Sequence, residues 1–169
     1  MKCGLGKEII SEYIYSGNFS NDKKNGKGKL IFKTTHDSYE GNFIENQMTG
    51  KGYYIWANKD SFKGTFVNGK MDGNGVYKWK NGRIYEGKYE NGIKEGFGIL
   101  KDNINILYEG EFKKGVPEGE GYVYKNGLKT KIKMEGGKVA KNSDTSFGLS
   151  TEFTNRRGNF LITIKFFWV

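Results

Sequence analysis

Between Tyr15 and Leu128 the chain is written in short segments whose apolar residues fall two apart and whose intervening positions are polar. Tyr39-Glu40-Gly41-Asn42-Phe43 is one such segment. It returns as Phe62-Lys63-Gly64-Thr65-Phe66, Tyr85-Glu86-Gly87-Lys88-Tyr89 and Tyr108-Glu109-Gly110-Glu111-Phe112, with an earlier copy in Tyr15-Ser16-Gly17-Asn18-Phe19. The starts lie 24, 23, 23 and 23 residues apart. A period of two places every second side chain on one face of a strand. The leading aromatic, the glycine (Gly17, Gly41, Gly64, Gly87, Gly110) and the second aromatic therefore share a face. A repeat held in register over five copies sets the architecture before any other feature.

Eleven residues after each leading aromatic stands Gly-x-Gly, at Gly26/Gly28, Gly50/Gly52, Gly73/Gly75, Gly96/Gly98 and Gly119/Gly121. Two residues further come Leu30, Tyr54, Tyr77, Leu100 and Val123. The next step of two gives Phe32, Trp56 and Trp79, then Asp102 and Lys125. This is a second strand, and any continuous aromatic stripe should fade after Trp79. A glycine leaves a hole on the sheet face, and a ring from a neighbouring strand can lie over it. The recurrent glycines are thus expected to serve packing.

Asn-Gly is the strongest short hairpin signal, because both residues accept positive φ. Asn68-Gly69 and Asn91-Gly92 fall within repeats, and Asn81-Gly82 and Asn126-Gly127 between them. The expected fold is all-β: an elongated, single-layer, twisted antiparallel meander of tandem β-hairpins. No helix longer than one turn is expected between Tyr15 and Leu128. At about 4.8 Å per strand, five two-strand repeats would cover on the order of 50 Å.

These residues resemble the MORN repeat (membrane occupation and recognition nexus), a pattern close to Y-E-G-x-W/F, a short N-G loop, then G-x-G-x-Y-x-Y. Tyr39 to Trp56 and Phe62 to Trp79 carry both halves, and Tyr85 to Asn105 the first half. The resemblance runs from Tyr15 to about Leu128. It implies an antiparallel sheet used in cytoskeletal scaffolds or at membrane junctions.

The expected organisation is an edge segment over residues 1–14, a repeat array over 15–137 (five repeats and a half), and a polar linker with an apolar end over 138–169. Ile9 to Ile14 is expected to supply a strand covering the first edge. Thr130 to Gly137 aligns with Tyr85 to Gly92 with Ile132 in the glycine position. A rival alignment sets Met134-Glu135-Gly136 on the Tyr-Glu-Gly motif. Either way a sixth, incomplete repeat gives a final strand, since solenoid ends must be atypical. The run from Phe160 to Val169 suggests a strand folding back on the sheet, with an oligomer contact and membrane-surface insertion as alternatives. Ten residues containing Lys165 are too few to span a bilayer.

Composition agrees with thin sheet rather than thick core. There are 26 glycines, one proline and 15% aromatics, and mean hydropathy is −0.71. The net charge is +9, from 28 cations of which only Arg83, Arg156 and Arg157 are arginine. Lysine is a hydrated point charge, whereas arginine supplies the planar fork of phosphate and base recognition. The charge points to loose attraction toward anionic surfaces, and no nucleic-acid motif accompanies it.

Cys3 and His36 are the single cysteine and histidine. They can build neither a disulfide nor a Cys/His zinc site within one chain. His36 falls in a turn with no Ser/Asp constellation implied, and Gly-Lys-Gly lacks P-loop spacing. Glu40, Lys63, Glu86 and Glu109 read as a charge ladder. No enzyme, cofactor, metal or small-molecule substrate is expected. The N-terminus lacks the apolar run of a signal peptide, so the expected location is cytoplasmic, with cytoskeletal or membrane association.

Two functional readings follow. The first is a scaffold that binds protein or itself through Tyr54, Trp56, Tyr77 and Trp79, because a one-layer sheet leaves a face available and Trp and Tyr dominate interface hot spots. These rings pack equally well on their own glycines, which is the structural alternative. The second is attachment to anionic, phosphoinositide-type membrane through Lys131, Lys133, Lys138, Arg156, Arg157 and Lys165 beside the apolar end. From Thr130 onward seven cations face three acids.

Overall fold

The computed structural model describes residues 1–125, 127–140, 148–156 and 159–167. Asn126, Arg157 and the last two residues of the apolar end lie outside them. The chain divides into two compact units, Met1–Ile93 and Lys94–Val169. The first holds β1 (Gly4–Ile9), β2 (Tyr13–Ser20), β3 (Lys23–Phe32), β4 (Ser38–Ile44), β5 (Gln47–Ile55), β6 (Ser61–Val67), β7 (Lys70–Lys78) and β8 (Ile84–Glu90). The second holds β9 (Ile93–Lys101), β10 (Ile106–Lys113), β11 (Val116–Lys125), β12 (Leu128–Glu135), β13 (Lys138–Val139), β14 (Gly148–Arg156) and β15 (Asn159–Phe167). Every described element is a strand. In each unit the repeat strands pair antiparallel in chain order, so the fold is an all-β, single-layer antiparallel meander of tandem hairpins.

The glycines set the register. Gly6, Gly17, Gly28, Gly41, Gly52, Gly64, Gly75 and Gly87 stand opposite one another, strand after strand. In the second unit Gly98, Gly110 and Gly121 continue the pattern, and Gly121 faces Ile132. Ile132 therefore occupies the glycine position of the incomplete repeat, which decides for the alignment of Thr130 to Gly137 with Tyr85 to Gly92.

The ring over each hole comes from the repeat itself. Tyr39 precedes Gly41 by two on the same strand and reaches across to Gly52, whose hypothetical Cβ would stand 2.5 Å from Cε2 and 2.6 Å from Cζ of that ring. Tyr15, Phe62 and Tyr108 do the same for their own pairs. The expectation of a ring from a neighbouring strand holds only for the second glycine of each pair. Tyr15, Tyr39, Phe62, Tyr85 and Tyr108 are buried on this face together with Phe19, Phe43, Phe66, Tyr89 and Phe112. Edge-to-face contacts join them, as in Tyr39 with Phe43 at 5.3 Å and with Phe66 at 5.1 Å.

The first glycine of Gly-x-Gly has a different task. Gly26, Gly50, Gly73, Gly96 and Gly119 have φ of 94°, 59°, 82°, 70° and 74°. The register slips here, and Asp72, Gly73 and Asn74 stand against Thr65 alone. This is a β-bulge that needs a residue free to take positive φ. Asn18 and Asn42 clip it by donating Nδ2–H to the carbonyls of Lys27 and Lys51, each at 3.2 Å.

Turn chemistry follows the sequence inside repeats. Asn68-Gly69 (48°, 77°) and Asn91-Gly92 (50°, 87°) have paired positive φ, as type I′ turns demand. Asn81-Gly82 differs, because only Gly82 is positive. It sits in a longer loop closed by Gly82 N–H to Trp79 O at 2.9 Å. At the N-terminal edge the strand is Gly4–Ile9, not Ile9 to Ile14. Polar Ser11 and Glu12 lie in the turn, where Ile10 N–H meets Tyr13 O at 3.0 Å. At the other end β15 pairs with β14 along its length in a separate two-stranded sheet, instead of adding to the repeat sheet. Arg156 and Asn159 are near neighbours in sequence, so pairing their strands costs less chain entropy than a distant pairing.

Candidate functional site

The candidate surface lies where β5 and β7 run out into the loops that follow them. Tyr54 stands opposite Tyr39, and Tyr77 opposite Phe62, so both share the face of the buried rings. Tyr54, Trp56, Tyr77 and Trp79 form an unbroken stack with centroid separations of 4.6, 5.1 and 4.8 Å. Phe32 extends it at 6.3 Å from Tyr54. Tyr54, Trp56 and Tyr77 are half-buried and keep one side toward solvent. Trp79 is 6% exposed and fills space, so it is not part of an open surface.

Two aspartates hold this row in place. Asp37 Oδ2 accepts from the Tyr54 hydroxyl at 2.9 Å and its Oδ1 from Ala57 N–H at 2.8 Å. Asp60, 8% exposed, accepts from the Tyr77 hydroxyl at 2.9 Å, Asn58 Nδ2–H at 3.0 Å and Lys80 N–H at 2.8 Å. Each carboxylate thus ties a tyrosine to the loop that follows its strand. Burial, and then the hydrogen bond to the carboxylate, raise both hydroxyls above the usual tyrosine range. They stay protonated donors. The row can stack and make apolar contact, but it holds no group poised to move a proton. Sequence reasoning missed both aspartates, although Asp37-Ser38-Tyr39 and Asp60-Ser61-Phe62 repeat at the period of the array.

The stripe ends after Trp79. At the equivalent position Asp102 serves a turn, accepting from Ile104 N–H at 2.8 Å and Asn105 N–H at 2.7 Å. Among the structural glycines, Gly17, Gly41, Gly64, Gly87 and Gly110 all lie in the register row described above. His36 is exposed with φ of 62°, and Cys3 is exposed. Among the described residues no group of three or more His, Cys, Asp or Glu is drawn together.

The lysines proposed for lipid are dispersed. Lys131 pairs with Glu120 at 2.8 Å and Lys133 with Glu135 at 3.1 Å, and Lys138 is exposed. Arg156 ends β14 and Lys165 lies within β15, while Arg157 is outside the described residues.

The MORN repeat model matches residues 15–35, 39–61, 62–82, 85–103 and 108–129, the five segments whose glycines, rings and bulges are described above. With those matches covering more than half of its length, the chain belongs to the MORN repeat family and is a repeat-built β-sheet scaffold.

Proposed function

We propose that the chain works by binding a protein partner, or a second copy of itself, through the aromatic row on β5 and β7. What supports this reading is the stack of Tyr54, Trp56 and Tyr77, half-open to solvent and locked in position by Asp37 and Asp60. Rigid, pre-placed aromatic rings lose little entropy on binding, which is what hot spots require. A MORN array of this kind fits a cytoskeletal or membrane-junction scaffold. The test is Trp56→Ala, with size-exclusion chromatography and light scattering for self-association and cross-linking in cells for a partner. Trp56 is chosen because buried Trp79 would report on folding. Loss of association in a variant that still unfolds cooperatively, with a melting temperature lowered by the two lost ring contacts, is the expected result. Unaltered association in the folded variant would reject the reading.

The second reading, attachment to anionic membrane through the C-terminal cations and apolar end, draws support from their concentration after Thr130. The ion pairs of Lys131 with Glu120 and Lys133 with Glu135 are exposed and leave both lysines able to meet lipid. Flotation with phosphatidylserine vesicles of the full chain and of a chain ending at Gly137 tests it. Equal flotation of the two would remove the tail from consideration.

A further inference from the structure

On the first unit, the face turned away from the rings carries an open groove of about 940 Å³ across β1–β5, floored by Gly17, Gly28 and Gly41. Lys27, Lys29 and Lys51 line it, and Glu40 is its single carboxylate. Lys29 lies 3.9 Å from Glu40, with both side chains more than half exposed, so that pair neutralises little. Among the described residues Lys27 and Lys51 have no ion-pair partner, and their carbonyls, not their ammonium groups, receive the Asn18 and Asn42 amides. In the register of the outer face, Lys7 continues the row through Ser16 to Lys29, and Lys63 stands beside Tyr53, which itself faces Glu40. In the groove three lysines thus face one carboxylate, Glu40.

We propose that this groove is a docking site for an acidic, extended peptide segment of another protein. A second copy docked two-fold on this face would bring the same lysines against it, which opposes isologous self-association here. A flat bilayer would meet the lysine tips but not the recessed glycine floor. Leu5, 84% exposed, is the single large apolar residue of the groove available for insertion. The absence of arginine among the lining residues suits carboxylates met as point charges better than phosphates gripped by a fork. Geometry adds a spacing. Lys27 and Lys51 occupy the same position in consecutive repeats, two strands apart, which is about 9.6 Å. Carboxylates three residues apart in a polyproline II segment, the extended form with three residues per turn, recur on one side about 9.3 Å apart. The complementary segment therefore repeats its acids every third residue and runs across the strands.

The experiment uses the full chain and a fluorescent probe peptide, Glu-Ser-Ser-Glu-Ser-Ser-Glu, with anisotropy read at two salt concentrations. A peptide of the same composition with its glutamates contiguous, and a lysine analogue of the probe, serve as comparisons. Expected are binding of the spaced probe, weaker binding of the contiguous one, none of the lysine analogue, and weakening with salt. Lys27→Glu with Lys51→Glu should reduce affinity at least tenfold, and the milder Lys27→Gln with Lys51→Gln by a smaller factor. Both lysines are exposed, so melting curves should not move. Trp56→Ala, on the opposite face, should bind the probe normally, which keeps this proposal separable from the aromatic-row reading. No binding of the spaced probe, or equal binding by the charge-reversed variant, overturns the proposal. So does flotation with phosphatidylserine vesicles that the same substitutions abolish while the peptide fails to compete, because the face would then serve a membrane.

Discussion

Gly52→Ala isolates the packing role of the glycine row. The added methyl would stand 2.5 and 2.6 Å from Cε2 and Cζ of Tyr39, about 1 Å inside ordinary contact distance. The ring has nowhere to retreat. Tyr39 is fully buried, set edge-on between Phe43 and Phe66 at 5.3 and 5.1 Å, and its hydroxyl donates to Asn42 O at 3.1 Å. Displacing it weakens two aromatic contacts of about 0.5–1.5 kcal/mol each and a hydrogen bond of about 1 kcal/mol. Against this, alanine recovers about 0.5–1 kcal/mol of backbone entropy relative to glycine. The net expectation is a loss of about 1–3 kcal/mol, within the range for overpacked sites. Urea unfolding should be run in the natural chain and in a Tyr39→Leu background, which lacks the distal ring atoms that overlap. There Gly52→Ala should cost nothing or stabilise slightly, giving a coupling of about 1–3 kcal/mol. Gly119→Ala is the contrast. Its site has no atom within 4 Å, but φ is 74°, so a cost of about 1–2 kcal/mol should arise from backbone strain and ignore Tyr39. An equal cost of Gly52→Ala in both backgrounds would refute the packing account.

Three further outcomes follow from single side chains. Tyr89 has a buried hydroxyl with no hydrogen-bond partner among the described residues, where Phe19, Phe43, Phe66 and Phe112 stand in the other repeats. Tyr89→Phe should therefore stabilise by about 1 kcal/mol in urea unfolding, and a loss of stability would reveal a partner for that hydroxyl. Burial pushes the Lys94 ammonium down to about 8, in a position held by Met48 and Met71 earlier in the array. A folded pKa below the unfolded one costs stability at neutral pH and releases it as pH rises from about 8 to 10.5. Lys94→Met should then stabilise the fold at pH 7 by about 1–2 kcal/mol after discounting for partial exposure, read as a raised melting temperature, with the advantage shrinking toward pH 10. Glu8 is held at about 2 by hydrogen bonds first from Lys2 and then from Tyr13, against the burial that opposes them. Its contribution is present above about 4.5 and disappears as pH falls toward 2. Glu8→Gln should thus lower the melting temperature at pH 7 and match the natural chain near pH 2.

Much of this fold is legible because one physical demand recurs at a fixed period. An aromatic ring needs a hole, a hole needs glycine, and a two-residue turn between twisted strands needs paired positive φ. The bulge was not legible, because both glycines of Gly-x-Gly look alike on paper. Gly50 is chosen for its backbone and Gly52 for the space above it, and only the φ of 59° at the former tells them apart. The end of the chain was misread for a related reason. Apolar residues from Phe160 onward signal a strand, but pairing partner is a matter of loop closure, which side-chain pattern does not encode. The open rings were half legible. Trp56 and Trp79 have the same address in their repeats, yet one is half-open and the other buried, a difference that residue type does not encode.

The distinction between repeated and variable positions also bears on where binding can reside. Residues that recur in every repeat answer to the fold: Tyr39, Gly41, Gly52 and Phe43 would be required whatever the array touched. A surface that distinguishes one partner from another must come from positions the fold leaves free. Two such positions change along the chain. The last motif position runs Phe32, Trp56, Trp79, Asp102, Lys125, and the residue inside Gly-x-Gly runs Lys27, Lys51, Asn74, Phe97, Glu120. The first sequence confines the aromatic row to the early repeats. The second confines unpaired lysine to the early repeats as well, on the opposite face, since the bulge requires nothing of that side chain. The second gradient arises where packing exerts no demand, whereas in the first only Trp79 is claimed by the core. A one-layer sheet of nearly identical repeats can thereby present two chemically different surfaces without altering the glycine register that holds it together.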